Sequence, residues 1–426
     1  MSIKLLKRKD FSLLIFGKLS SLLGSNMLQF ALSLYVLSLT ESATIFASIL
    51  SITIFPRLLL SPIAGVFGDW FDRKKSIIIL DLVNGIIIGV FGIIYFFNGE
   101  LNLLSIYIFV ILLEITEIFY HSSMSAVIPS MVEKDDLLEA NSINSFVMHI
   151  GQLIAPTIAA LIYGSYGIFT LFVINAVSFV GASLSKIGIS IPKTNNGDKN
   201  LNLSTFKTDF IEGMRIIRSN EFIKTVISLA SIINFVISPL FSIGLIFVIK
   251  QILKASDFQY GLFQMTYALS AIIAPLFAGA VIKRIKFGKI CFIGFINISL
   301  LILIMSLVPS DILINNFEPN GFPYIILLVL TFIMGIIIVI VNIAIGTIFN
   351  QIVPLEAMGR TSTVLSLAVT ILIPLGQMIF GFLYDYLAPS YVIIICGLIL
   401  LITMLRYKTA LFKYDAMGAN SNEVSV

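Results

Sequence analysis

Four ionisable residues stand inside runs that are otherwise apolar: Arg57, Glu114, Glu117 and His121. Charge in hydrocarbon is costly, so such side chains face a cavity or one another. The spacing i, i+3, i+7 puts Glu114, Glu117 and His121 on one face of a helix. Counted from the outer ends of their runs, Arg57 and Glu117 share a depth of roughly 21 Å at about 1.5 Å per residue. A carboxylate beside an arginine is held charged, whereas a desolvated one without such a partner holds a proton more readily. The expectation is that Arg57 pairs with one glutamate and the other binds and releases a proton, the elementary step of proton-coupled exchange. A purely structural Arg–Glu pair is the other reading of the same residues.

Neutral polar groups extend the set. Asn26 and Gln29 fall in the middle of the first apolar run, and His149 falls in the fifth, either as a ligand group or as a packed neutral imidazole. Lys18, about two turns into the first run, is expected to snorkel to the interface. The second half of the chain has only neutral polar groups within its runs, among them Asn234, Gln264, Asn297, Asn342, Asn350 and Gln377.

The elements that must position these residues follow from composition. Of 426 residues, 58% are hydrophobic and 12% charged, and mean hydropathy is +1.03. A soluble protein of this size needs far more charge on its surface. The unbroken apolar runs lack the alternation of an outer-membrane barrel. Backbone groups in lipid must bond within their own segment, so the runs are helices. Twelve spans are predicted, at 11–39, 43–68, 76–97, 103–128, 137–164, 166–189, 222–249, 257–283, 288–308, 323–350, 360–385 and 389–407. The first run is too long for a signal-peptide core and lacks a small-x-small cleavage site, so it is expected to be the first span.

Lysine and arginine set the orientation. With the N-terminus in the cytoplasm, the basic groups at 4–9, 73–75, 134, 193–224, 283–289, 360 and 406–413 are cytoplasmic, leaving only Lys250 and Lys254 outside. The C-terminus is then cytoplasmic as well. The polar stretch 190–221 reads as a linker between an N-terminal bundle, 1–189, and a C-terminal bundle, 222–410, with 411–426 expected as a disordered tail. Val132–Leu137 and Val353–Arg360 enter spans five and eleven in similar ways, and each span then carries a proline, Pro156 or Pro374. The pattern is that of two six-helix repeats around a central cavity.

The loop after span two carries Gly65, Asp69, Arg73 and Lys74, with Trp70 and Asp72 at two positions where a general pattern has Arg and Gly. With twelve spans split six and six, this loop resembles that of the major facilitator superfamily, and the Asp72–Arg73 variant is similar to its drug-efflux branch, which includes macrolide exporters. The resemblance implies an all-α membrane fold of two pseudo-symmetric six-helix bundles. It also implies a cytoplasmic gate of Gly65, Asp69, Asp72, Arg73 and Lys74 against Gly359 and Arg360 at the start of span eleven. Asp69 at its helix C-terminus needs such an external partner, because the helix dipole there disfavours an anion. The plainer reading of this loop is a set of topology charges. Gly151, Ala155 and Pro156 in span five resemble the antiporter motif of the same superfamily, with Ala replacing Gly at three positions, and equally suit ordinary small-residue packing.

These readings point to a secondary transporter of the plasma membrane, driven by the proton gradient with no cofactor and expected to act as a monomer. The substrate class is amphipathic drug-like compounds or a hydrophobic metabolite, exported in exchange for H⁺ by rocker-switch alternating access. An importer of a small solute and a non-transporting membrane sensor are the alternatives. No phosphate-binding Gly-x4-Gly-Lys-Ser/Thr loop is present, so ATP hydrolysis is not expected. With two cysteines and two histidines scattered along the chain, neither enzymatic chemistry nor a metal cluster is expected. The net charge of +4 lies in loops as topology signals and does not imply nucleic acid. Cys291 and Cys396 fall within apolar runs and are expected to be free and buried.

Overall fold

A computed structural model describes residues 5–70, 72–133, 136–191, 214–215, 221–352, 364–365 and 367–423. The helices are α1 (Lys9–Thr40), α2 (Ala43–Ile52), α3 (Ile54–Trp70), α4 (Arg73–Asn98), α5 (Leu103–Met131) and α6 (Leu137–Ile187). They continue with α7 (Glu221–Pro239), α8 (Asp257–Arg284), α9 (Phe287–Met305), the single turn α10 (Asp311–Ile314), α11 (Phe322–Ile352), α12 (Ile373–Tyr386) and α13 (Pro389–Glu423). After Pro239 the helix widens to π turns at Leu240–Gly244 and Val248–Ile252.

Eleven helical stretches among the described residues are long and apolar enough to cross a membrane. One of them, Phe146–Ile187, has 42 residues, about twice what a bilayer crossing needs. Gly167 interrupts it at φ 74°, ψ 178°, a left-handed φ that an L side chain resists. Counted as two, this stretch restores the twelve spans read from the sequence. The boundaries of the first ten agree to within a few residues. Residues 353–363, the start of span eleven, and most of the 190–221 linker lie outside the described residues.

The chain divides into two compact units, Met1–Leu39 with Ile52–Phe206, and Thr40–Ser51 with Lys207–Val426. In the first unit, α4 packs on α5 and α6, and α3 packs on α5. Close approach of α1 to α6 depends on Gly24, where a Cβ would lie 2.3 Å from Asn175 Oδ1. Phe109 joins α5 to its neighbours, with its ring 4.8 Å from that of Phe91 and 5.6 Å from that of Phe172. At the end of the unit carrying Arg73, Phe11, Leu14, Ile77, Tyr120 and Val127 form a buried apolar cluster.

In the second unit, α9 packs on α11 and α13, α8 on α11, and α7 on α12. Gly376 of α12 lets that helix reach α7, since a Cβ there would lie 2.2 Å from the Phe235 carbonyl oxygen. The unit also takes in Thr40–Ser51, the start of predicted span two, which the sequence reading placed wholly in the N-terminal bundle. Asp385 explains this grouping. Its carboxylate accepts from Ser42 Oγ at 2.7 Å, from the Ala43 amide at 2.7 Å and from the Thr44 amide at 3.0 Å, so it caps the first turn of α2.

The expected disordered tail is a correction. The helix α13 runs on to Glu423, and Asp415 within it accepts from the Gly288 amide at 2.7 Å and the Lys289 amide at 3.1 Å. The small and polar composition of this stretch hid a helix held by a cap at the start of α9. Cys291 and Cys396 are free and buried, as expected.

Candidate functional site

Within the first unit, α1, α3, α4, α5 and α6 enclose a cavity of about 310 Å³. Its wall is mostly apolar, and it brings together Arg57, Glu114, Glu117, His121 and Asn26, five of the residues singled out by sequence. Helical spacing accounts for the α5 set, because residues three and four apart share a face.

Arg57 pairs with Glu114. Its Nε donates to Glu114 Oε1 at 2.7 Å, and Nη2 lies 2.7 Å from the same oxygen. The guanidinium side chain is 55% exposed and the carboxylate side chain 12% exposed. Glu117 turns instead to His121, with Oε1 3.1 Å from Nε2. The expectation that Arg57 takes one glutamate and leaves the other therefore has a definite geometry, with Glu117 the one left to an imidazole. Asn26 Nδ2 is buried and has no hydrogen-bond partner among the described residues, which leaves a donor on the α1 wall.

Lys18 also lines the cavity and does not snorkel. Its Nζ donates to Asn144 Oδ1 of α6 at 2.6 Å, because an internal acceptor lies within reach of the ammonium. Gly151 is buried against α1, where a Cβ would lie 2.8 Å from Leu22 Cδ2, and Ala155 is buried behind it. Pro156 sits inside α6. Gly151 thus lies at a close contact of α1 with α6. The side chain of His149 lies outside the described residues.

The gate residues are described in part. Asp72 accepts from the Lys75 amide at 3.1 Å and so caps the N-terminus of α4. Lys74 Nζ donates to the Ile187 carbonyl at 2.7 Å, at the C-terminus of α6, where a cation suits the helix dipole. Arg73 begins α4. Gly65 and Asp69 lie on α3 without described side chains, and Gly359 and Arg360 lie outside the described residues, so the proposed contact with span eleven does too.

Sequence reasoning missed one cluster. Asp81 of α4 and Lys186 of α6 form an ion pair in which both side chains are 0% exposed. Lys186 Nζ also donates to the Tyr120 hydroxyl at 2.9 Å and lies 5.0 Å from the centre of that ring. Asp81 falls well inside a predicted span and was a legible signal on that ground alone. Lys186 stands next to the end of its span, where a lysine reads as a topology charge.

An all-helical chain with twelve apolar spans and a mostly apolar cavity that holds a few charged side chains has the build of a polytopic membrane transporter. The family model of the Major Facilitator Superfamily matches residues 14–315 and 227–416, and the chain belongs to that superfamily. Macrolide efflux protein A of Streptococcus pyogenes is 27% identical over 225 residues, 53% of this chain and 55% of that protein. The match thus spans about half the length of that relative. An uncharacterized MFS-type transporter of Bacillus subtilis, YkuC, is 25% identical over 431 residues, 98% of this chain and 95% of that one. The crystal structure of the nucleoside transporter NupG superposes with a TM-score of 0.74 at 12% identity, covering 95% of this chain and 99% of that chain, a likeness of fold alone.

Proposed function

We propose that this chain is a proton-coupled exporter of amphipathic drug-like compounds, macrolides or a hydrophobic metabolite among them, working by alternating access in the plasma membrane. The observation that carries the reading is the division of the cavity carboxylates: Glu114 pairs with Arg57, and Glu117 pairs with His121 on the same helix face. In this reading Glu114 stays with Arg57, and Glu117, on the cavity wall, is the residue that carries the exchanged proton. The proton gradient is the energy source and no cofactor takes part. A mostly apolar wall suits an amphipathic substrate. The partial likeness to macrolide efflux proteins favours export over import. In this reading the termini are cytoplasmic.

The test is substrate export from proteoliposomes under an imposed pH gradient, with Glu114→Gln and Glu117→Gln made in turn. Glu117→Gln is expected to abolish gradient-driven export while substrate counterflow persists. Full coupling in both variants would sink the proposal.

A further inference from the structure

The buried pair of Asp81 and Lys186 has a feature that an inert structural ion pair lacks. Asp81 Oδ2 is bound by Lys186, but Oδ1 is buried and has no hydrogen-bond partner among the described residues. Lys186 balances the charge of the carboxylate, but the buried Oδ1 has lost its hydration with no hydrogen bond in return. A proton taken at Oδ1 neutralises the carboxylate while Oδ2 keeps its contact with the Lys186 ammonium. Lys186 then keeps its donation to the Tyr120 hydroxyl, and Tyr120 stands one helical turn from Glu117 on the cavity wall.

We propose that Asp81 is a second proton-binding site of this unit, taking the proton at Oδ1, and that Lys186 links its charge state to Glu117. The groups in electrostatic range of Asp81 are Lys186 from α6, and Tyr120 and Glu117 from α5. Lys18 from α1 acts on Lys186 in turn, and Arg57 from α3 is held by Glu114. With Oδ1 protonated, the ammonium of Lys186 has no full counter-charge, and one positive charge is added near Glu117. For an exported compound that presents a cationic group to Glu117, proton occupancy of Asp81 opposes its binding, which is the mutual exclusion that exchange requires. This last step rests on the exporter reading above. The proton site itself does not.

The experiment is infrared difference spectroscopy of the full chain in lipid, titrated with acid, following the C=O stretch of a protonated carboxylic acid. A band is expected that disappears in Asp81→Asn and persists in Glu117→Gln, where its midpoint moves to lower pH because a nearby negative charge is gone. Where Asp81→Asn strands Lys186 and fails to fold, Asp81→Asn with Lys186→Met removes both charges and is read in its place. A carboxylic-acid spectrum unchanged by loss of Asp81 overturns the proposal. An Asp81-dependent band in a protein that exports nothing under a pH gradient upholds the proton site and overturns the exporter reading alone.

Discussion

Arg57 binds Glu114 through one carboxylate oxygen, with both Nε and Nη2 at 2.7 Å from Oε1. Glu117, on the same cavity wall, pairs with His121 instead. The arrangement is half exposed, so its worth lies in charge placement more than in stability. An exposed ion pair contributes about 0.2–1 kcal/mol. Arg57→Ala is expected to lower unfolding stability by no more than about that amount. Export is expected to fall sharply, because the cavity loses the cation that pairs with Glu114. The exchange Arg57→Glu with Glu114→Arg recovers part of the export. Thermal unfolding in detergent and vesicle flux check the two halves of this expectation. A variant as stable as the parent and equally active removes any role for the pair.

Asp81 and Lys186 differ in kind, because both are fully buried. Removing one partner strands a charge, and such changes cost about 3–5 kcal/mol. Lys186→Met alone is therefore expected to unfold the protein far more readily than Lys186→Met combined with Asp81→Asn. A double-mutant cycle on thermal stability measures the coupling. Additive losses would show that the pair contributes nothing as a pair.

Asp385 caps α2 from a position far along the chain, accepting from two amides and one hydroxyl. Loss of a capping side chain costs about 0.5–2 kcal/mol. Asp385→Ala is expected to speed hydrogen exchange at the Ala43 and Thr44 amides and to leave the rest of the second unit protected. Unchanged exchange at those two amides would count against the cap.

Gly376 and Gly89 make a matched pair. A Cβ at Gly376 meets the Phe235 carbonyl at 2.2 Å, backbone that cannot swing aside, whereas a Cβ at Gly89 meets nothing within 4 Å. Gly376→Ala is expected to cost about 1–3 kcal/mol by overpacking α12 on α7. Gly89→Ala is expected to be neutral or stabilising by up to about 1 kcal/mol, from helix propensity. Parallel unfolding measurements decide it, and equal behaviour of the two variants would contradict the packing described.

Much of this was legible in the chain. The spans could be read because an apolar run long enough to cross lipid has one backbone solution, and the sequence contains twelve such runs. Arg57, Glu114, Glu117 and His121 stood out because charge is rare in those runs and a helix puts residues three, four and seven apart on one face. The Asp72–Arg73 loop pointed to the superfamily whose family model matches the chain. Lys18 was misread because a lysine near a helix end has two outlets, the interface or an internal acceptor, and only the fold supplied Asn144. The C-terminal helix was misread because composition reports local preference and not the cap that Asp415 makes 126 residues away from Lys289.

The sequence by itself determined what repeats locally: helix, span, family, and the face of α5 that carries acid and imidazole. Only the tertiary structure decided which glutamate Arg57 takes. It also decided that Asp81 meets Lys186 across 105 residues, and that Asp385 caps a helix 342 residues before it. Span and helix face follow from the solvent and from the helical period, which neighbouring residues state completely. Partner choice depends on how separate helices come to lie side by side, and that is a property of the packed chain.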